Sequence, residues 1–340
     1  MRPNKKLDPI KHFVTGGAGF IGSHLVDRLL EEGNKVTVYD SLALASDENI
    51  KRHFGKENFN FIKADLLDFN TLKKAMAGHE IIWHLGANTD IPGGNRMTDL
   101  DLKNCTIATW NVLEAMRQLD LNKILFTSSA CVYGDAPPIS LNETYGPLLP
   151  ISLYGAGKLA GEGLISAYSH LFGIQAWIFR FSNVVGARMD HGVIFDFIQK
   201  LRKNPKELEI LGDGKQEKPF FLVEDCIEGM LHVFKNSNNQ CEENKFSSSP
   251  FAVAREYDVY NLGCDSFTSI TRVAQIVAEE MGLKDVKFKY TGGKRGWPGD
   301  VPVVHYSIEK MKKLGWQPRY TSDEAVRIAT QRILKQLKIL

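Results

Sequence analysis

Cysteine is scarce in this 340-residue chain. The five residues, Cys105, Cys131, Cys226, Cys241 and Cys264, are scattered and odd in number, with no C-x-x-C pair. Such spacing gives neither a disulfide framework nor a zinc-site signature, so no metal is expected. No uninterrupted apolar run reaches the length of a membrane span. Charge of one sign is missing as well: 42 Lys and Arg against 40 Asp and Glu leave +2. That balance offers no electrostatic reason to expect nucleic acid or an anionic membrane as partner. The opening MRPNKKLDPI is basic but lacks the apolar core of a secretion signal. A cytoplasmic setting is therefore expected. The hydrophobic share of 43% and charged share of 24% are those of an ordinary globular protein. The length admits one large domain or two unequal ones.

What is present is an ordered set of motifs. Residues His12 to Thr15 form a short apolar strand, followed at once by Gly16, Gly17, Gly19 and Gly22. A helical pattern through Phe20, Ile21, Leu25, Leu29 and Leu30 comes next and stops at Gly33. Strand, glycine-rich turn and helix in that order are the context of a dinucleotide fingerprint. Gly16 serves the tight turn, Gly19 the approach of backbone to a pyrophosphate, and Gly22 the close packing of helix on strand. The helix N-terminus presents free N–H groups to phosphate. The next strand, Lys35 to Tyr39, ends in Asp40, at the place of a ribose-binding carboxylate. A negative charge there repels a 2′-phosphate, so NAD is expected rather than NADP.

A second pair of motifs follows, SSACVYG (Ser128 to Gly134) and YGAGK (Tyr154 to Lys158). Tyr154 and Lys158, four apart, share one helix face. The lysine ammonium and the positive nicotinamide ring both favour a phenolate, lowering the tyrosine pKa toward that of a working base. Ser129 falls at the C-terminal end of the strand from Lys123 to Thr127, the edge where open α/β sheets bind ligands. Its hydroxyl is placed to share the proton of a substrate alcohol. Cys131 as a nucleophile is the competing reading, but a buried structural cysteine is the commoner case.

Strands alternate with helices from residue 11 to about 181, including Phe59 to Lys63, Glu80 to Leu85 and Gln175 to Phe179. This implies an α/β, Rossmann-type doubly wound parallel sheet with helices on both faces. Residues 11–181 are expected to form it. Residues 182–340 are expected to form mainly a smaller substrate-binding lobe, with some segments returning to the main sheet. The stretch Asn236 to Pro250 reads as a polar surface loop. Thr321 and Glu324 form a capping-box pattern before a last helix with Val326, Ala329, Ile333, Leu337 and Leu340 on one stripe.

The G-x-x-G-x-x-G spelling with FIGSHL behind it resembles the extended short-chain dehydrogenase/reductase family, and within it the nucleotide-sugar epimerases and dehydratases, of the UDP-glucose 4-epimerase type. KADLLD, WHLGA, RFSNVVG, LGDGKQ, YNLG and LGWQP extend the resemblance to about residues 11–320. It implies Tyr154 as base, Lys158 as its support and a cofactor-ribose contact, and Ser129 as proton relay. It also implies that Phe20 and Ile21 sit at the phosphates, that Asp65 with Leu66 reaches the adenine, and that the strand carrying Leu85 and Ala87 runs under the pyrophosphate. A homodimer is implied through the helices Cys105 to Leu119 and Tyr154 to Leu171. The implied substrate is a nucleotide-diphosphate sugar held by Asn183, with Arg188 a further candidate. Two departures stand out. Lys218-Pro219 replaces an Arg-Asp pair, and Trp297 replaces an arginine, with Arg295 two residues earlier. Lys218 and Arg295 are thus candidate phosphate ligands, the alternative being solvated surface charges. Val304, four after Asp300, matches a position that gates space around the sugar; a small residue there admits N-acetyl sugars, or simply fills core.

Ala130 and Cys131 stand where the resemblance places an Asp-Glu pair in 4,6-dehydratases and an acid in decarboxylases. Oxidation at the sugar 4-position and return of hydride remains, that is, a 4-epimerase on a UDP-hexose or UDP-N-acetylhexosamine. A nucleotide-sugar dehydrogenase, reductase or 4,6-dehydratase is the alternative within enzymes. A non-catalytic NAD-binding regulator is the alternative outside them, although a sensor needs no base.

Overall fold

A computed structural model describes residues 9–137, 139–237, 257–301, 303 and 305–339. The first part of the chain runs β1 (Lys11–Thr15), α1 (Phe20–Glu31), β2 (Lys35–Asp40), β3 (Phe59–Lys63), α2 (Phe69–Met76), β4 (Ile81–His84) and the single turn α3 (Ile91–Gly94). A π-helical segment, Leu102–Ile107, leads into α4 (Ala108–Gln118); then come β5 (Lys123–Ser129), α5 (Leu153–Phe172) and β6 (Gln175–Phe181). The strands match the alternation in the sequence. β5 and β6 each run two residues further than the apolar pattern, because Ser128 and Ser129 pair with Arg180 and Phe181. The expected helix at Cys105 is π-wound in its first part.

The second part runs β7 (Asn183–Val185), α6 (Val193–Lys203), β8 (Glu207–Ile210), β9 (Glu217–Lys218), β10 (Phe220–Leu222), α7 (Val223–Asn236) and β11 (Tyr257–Leu262). It ends with β12 (Thr268–Ser269), α8 (Ile270–Glu280), β13 (Lys287–Tyr290), α9 (Glu309–Lys313) and α10 (Ser322–Gln336). Thr321 caps α10 in a full capping box with Glu324.

The central sheet is parallel, with strand order β11-β6-β5-β4-β1-β2-β3. Alternate residues feed opposite faces. Val14, Trp83 and Leu125 pack with α1 and α7, while Phe13, Ile82 and Phe126 pack with α2, α4 and α5. A third apolar cluster joins α6, α8 and α10 over β8 and β10. β11 returns from the second part of the chain to pair with β6. The C-terminal edge of the sheet thus lies between the main layer and this lobe. Among the described residues no helix is long and apolar enough to cross a membrane. Residues 238–250 of the expected polar loop, with Cys241, lie outside the described residues, as does Val304.

Candidate active site

The glycine turn is sterically obligatory. Gly16 has φ +68°, and a Cβ there would sit 2.7 Å from the Gly86 nitrogen. A Cβ on Gly22 would come within 2.1 Å of the Gly16 oxygen, so helix and turn touch through hydrogen alone. Gly19 is the N-cap of α1, and no side chain caps the helix. The first-turn amides, at Phe20 and Ile21, are therefore left for an anion. Asp40 braces the same turn: its Oδ2 accepts from the Ala18 amide at 3.0 Å and its Oδ1 from Leu42 at 2.9 Å. Burial raises its pKa, against the pull of these two donors. Each oxygen keeps acceptor capacity for ribose hydroxyls.

Around this turn the structure gathers the other expected cofactor residues. Leu85 N donates to Thr15 O at 3.2 Å, and the Leu66 side chain covers Gly86. Asp65 lies two residues beyond β3, exposed, with Oδ1 accepting from Leu67 N at 2.9 Å. Ala87 follows Gly86 in the loop after β4. Glycine cradle, uncapped helix and strand-end carboxylate together fit a dinucleotide.

Ser129 ends β5 and caps a short 3₁₀ turn, Ala130–Tyr133; its Oγ accepts from Cys131 N at 3.2 Å. The helix α5 starts at the Ser152 cap and lies flush on that turn. A Cβ on Gly155 would meet the Cys131 oxygen at 2.7 Å, one on Gly157 the Cys105 Cβ at 2.8 Å, and one on Gly161 the Phe126 ring at 2.8 Å. These contacts bring Tyr154 up beside Ser129. Lys158 Nζ donates to Thr127 O at 2.7 Å and lies 5.7 Å from the Tyr154 ring centre. An ammonium has three donors, and the described residues take one of these.

The Tyr154 hydroxyl differs from expectation in one respect. Burial pushes its pKa well up, the neighbouring Cys131 and Cys105 thiols add to this, and only the Ser129 hydrogen bond opposes it. The expected lowering by Lys158 is not among the causes; removal of water from the phenol dominates. Burial likewise pushes Lys158 down, against Cys105, Asp101 and Glu162. It pushes the Cys131 thiol up, so no thiolate is poised there.

One buried polar chain beneath the cofactor turn is signalled only by the odd histidine in WHLGA. Thr109 Oγ1 donates to Cys105 O at 2.5 Å and so accepts from His84 Nε2 at 3.0 Å; His84 Nδ1 accepts from Thr15 Oγ1 at 2.8 Å. Thr15 Oγ1 in turn accepts from Gly86 N at 3.0 Å. The ring is held neutral: burial, then Lys158, lowers its pKa to about 3.

At the substrate end Lys218 and Arg295 come together. Lys218 Nζ donates to Asp300 Oδ1 at 2.8 Å and to the Val301 carbonyl. Arg295 donates to the Asp300 carbonyl at 2.5 Å and to Asp135 Oδ2 at 2.7 Å. Lys218 is largely buried in these contacts, whereas Arg295 stays 38% exposed beside the exposed Asp135. Asn183 begins β7 with an exposed side chain. Arg188 does not join this group: Ser23 and Asp27 of α1 hold its guanidinium at 3.0 and 2.6 Å.

The sequence profile of the NAD dependent epimerase/dehydratase family matches residues 12–248. A putative UDP-glucose 4-epimerase of Methanocaldococcus jannaschii is 32% identical over 322 residues, 92% of this chain and 95% of its own. UDP-glucuronic acid decarboxylase 4 of Arabidopsis thaliana is 34% identical over 92% of this chain and 66% of its own. The crystal structure of a UDP-galactose 4-epimerase superposes with TM-score 0.82 at 35% identity, covering 96% of this chain and 100% of that one.

Proposed function

Because the chain belongs to the NAD dependent epimerase/dehydratase family, whose cofactor is NAD, we propose that it is a nucleotide-sugar 4-epimerase acting on a UDP-hexose or UDP-N-acetylhexosamine. The observation that carries this is the turn beside Ser129. Ala130 and Cys131 bring no carboxylate to the reacting centre. Elimination of a 6-hydroxyl or assisted decarboxylation has no acid in that turn, whereas the hydride centre of Ser129, Tyr154 and Lys158 is complete.

When bound, NAD supplies the hydride acceptor and donor for carbon 4 of the sugar. Tyr154 takes the 4-hydroxyl proton through or beside Ser129 and returns it once the 4-keto sugar has turned its other face. Lys158, anchored on Thr127, has donors left for the cofactor ribose and lies 5.7 Å from the centre of the ring whose phenolate forms. Asp40 stands at the ribose edge and favours NAD over NADP. Incubation with a panel of nucleotide sugars, following product and NADH absorbance together, tests the reading. Sustained NADH release would favour a dehydrogenase.

We also propose a homodimer through α4 and α5. Leu102, Ile107, Trp110, Leu171 and Phe172 expose 54, 38, 44, 67 and 48% of their surface on these elements and the π segment before them. Light scattering at micromolar concentration should return the mass of two chains; the mass of one would contradict it.

A further inference from the structure

Glu162 lies on the buried face of α5, one turn beyond Lys158 and two beyond Tyr154. It is 7% exposed, and its partner Arg180 of β6 is 4% exposed. The pair is bidentate: Arg180 Nη2 donates to Oε2 at 2.7 Å and Nε to Oε1 at 3.0 Å. Two further bonds leave this pair. Ser128 Oγ, one residue before Ser129, donates to Glu162 Oε1 at 2.5 Å. Arg180 Nη1 donates to Tyr133 Oη at 3.0 Å, with the guanidinium 4.9 Å from the ring centre. Tyr133 ends the 3₁₀ turn that Ser129 caps. Its hydroxyl donates to Asn261 Oδ1 of β11 at 2.7 Å, and Asn261 Nδ2 donates to the Leu141 and Ser307 carbonyls, each at 3.0 Å.

One buried ion pair therefore grips α5 behind Tyr154 and the chain on both sides of Ser129. Stability alone is a poor reason for it, since a buried ion pair is often no better than apolar side chains of similar volume. Direction is what it adds. The bidentate bonds fix the sliding and rotation of α5 against β6, the Ser128 bond ties it to β5, and small displacements of reacting groups are costly in rate.

We propose that Glu162 and Arg180 are positioning residues for the reaction, a clamp that sets the Ser129–Tyr154 geometry. This rests on the reading of Ser129 and Tyr154 as the proton-handling pair.

The test compares the NAD-loaded wild type with E162L/R180M, Ser128→Ala and Tyr154→Phe. The apolar double variant should keep its melting temperature within a few degrees, because it removes both charges at once. Its kcat should fall about 100-fold, with KM and NAD affinity changed far less, as expected when reacting groups are misplaced. Ser128→Ala, which serves if the double variant does not fold, should lower kcat several-fold at unchanged melting temperature. Wild-type kcat in folded E162L/R180M, or in Ser128→Ala should the double variant not fold, would overturn the clamp while an inactive Tyr154→Phe leaves the assigned centre standing. A fully active Tyr154→Phe would overturn both.

Discussion

Lys218 Nζ and Asp300 Oδ1 are 2.8 Å apart, although 82 residues separate them in the chain. Their side chains are 15% and 12% exposed, and Arg295 closes on the same aspartate through its carbonyl. With Asp135 on the far side of Arg295, two cations face two carboxylates. On the proposed reading, a substrate diphosphate entering here would compete with Asp300 for Lys218. Lys218→Met should therefore raise KM for the nucleotide sugar about tenfold or more, the size of a lost charged hydrogen bond. The kcat should hold, because the loss falls on ground and transition states alike. Steady-state kinetics with an unchanged KM would remove Lys218 from the substrate site.

Tyr154→Phe deletes one oxygen and keeps the ring. Turnover should fall about a hundred- to ten-thousand-fold, the usual loss with a general base, while calorimetry shows NAD binding nearly intact. Burial already raises the Tyr154 pKa, so the cation of Lys158 matters most when the phenolate forms. Lys158→Met should move the acidic limb of the kcat/KM profile to higher pH, since removing a cation raises a phenol pKa further. A limb that stays in place would separate Lys158 from the base.

His84 carries a consequence for stability. Burial, then Lys158, lowers its pKa from 6.5 to about 3, so the folded protein binds it neutral where the unfolded chain protonates it. The unfolded state then holds more protons between these values. Stability is complete above pH 6.5 and declines as pH falls toward 3. His12, buried against Trp83 and lowered to about 4 by burial, acts in the same direction. His84→Gln, which can still bridge Thr15 and Thr109, should flatten the pH dependence of the unfolding free energy by up to about one proton, or 1.4 kcal/mol per pH unit. Denaturant titrations at pH 4, 5 and 7 with identical slopes for both proteins would contradict the buried neutral ring.

The glycine turn, Asp40, Ser129 and the Tyr154–Lys158 pair were legible because each depends on local spacing: a φ of +68°, a strand end, a helical i, i+4. The capping box at Thr321 was legible for the same reason. Contacts that span the chain were not. Nothing near Lys218 in sequence announces Asp300, and nothing near Glu162 announces Arg180 or Tyr133. The rise in the Tyr154 pKa was also hidden, because water exclusion by α5 and its neighbours arises only once Gly155, Gly157 and Gly161 have let the helix settle on β5. Arg188 looked like a phosphate ligand by its place after RFSNVVG, yet Asp27 of α1 claims it.

The most direct test is the product. UDP-glucose, UDP-N-acetylglucosamine and UDP-glucuronate should be supplied separately to the NAD-loaded protein and the products identified by NMR. A 4-epimerase returns the 4-epimer of at least one hexose or N-acetylhexosamine, with no net change in NAD. A 4-keto-6-deoxy sugar or a UDP-pentose as main product would contradict it.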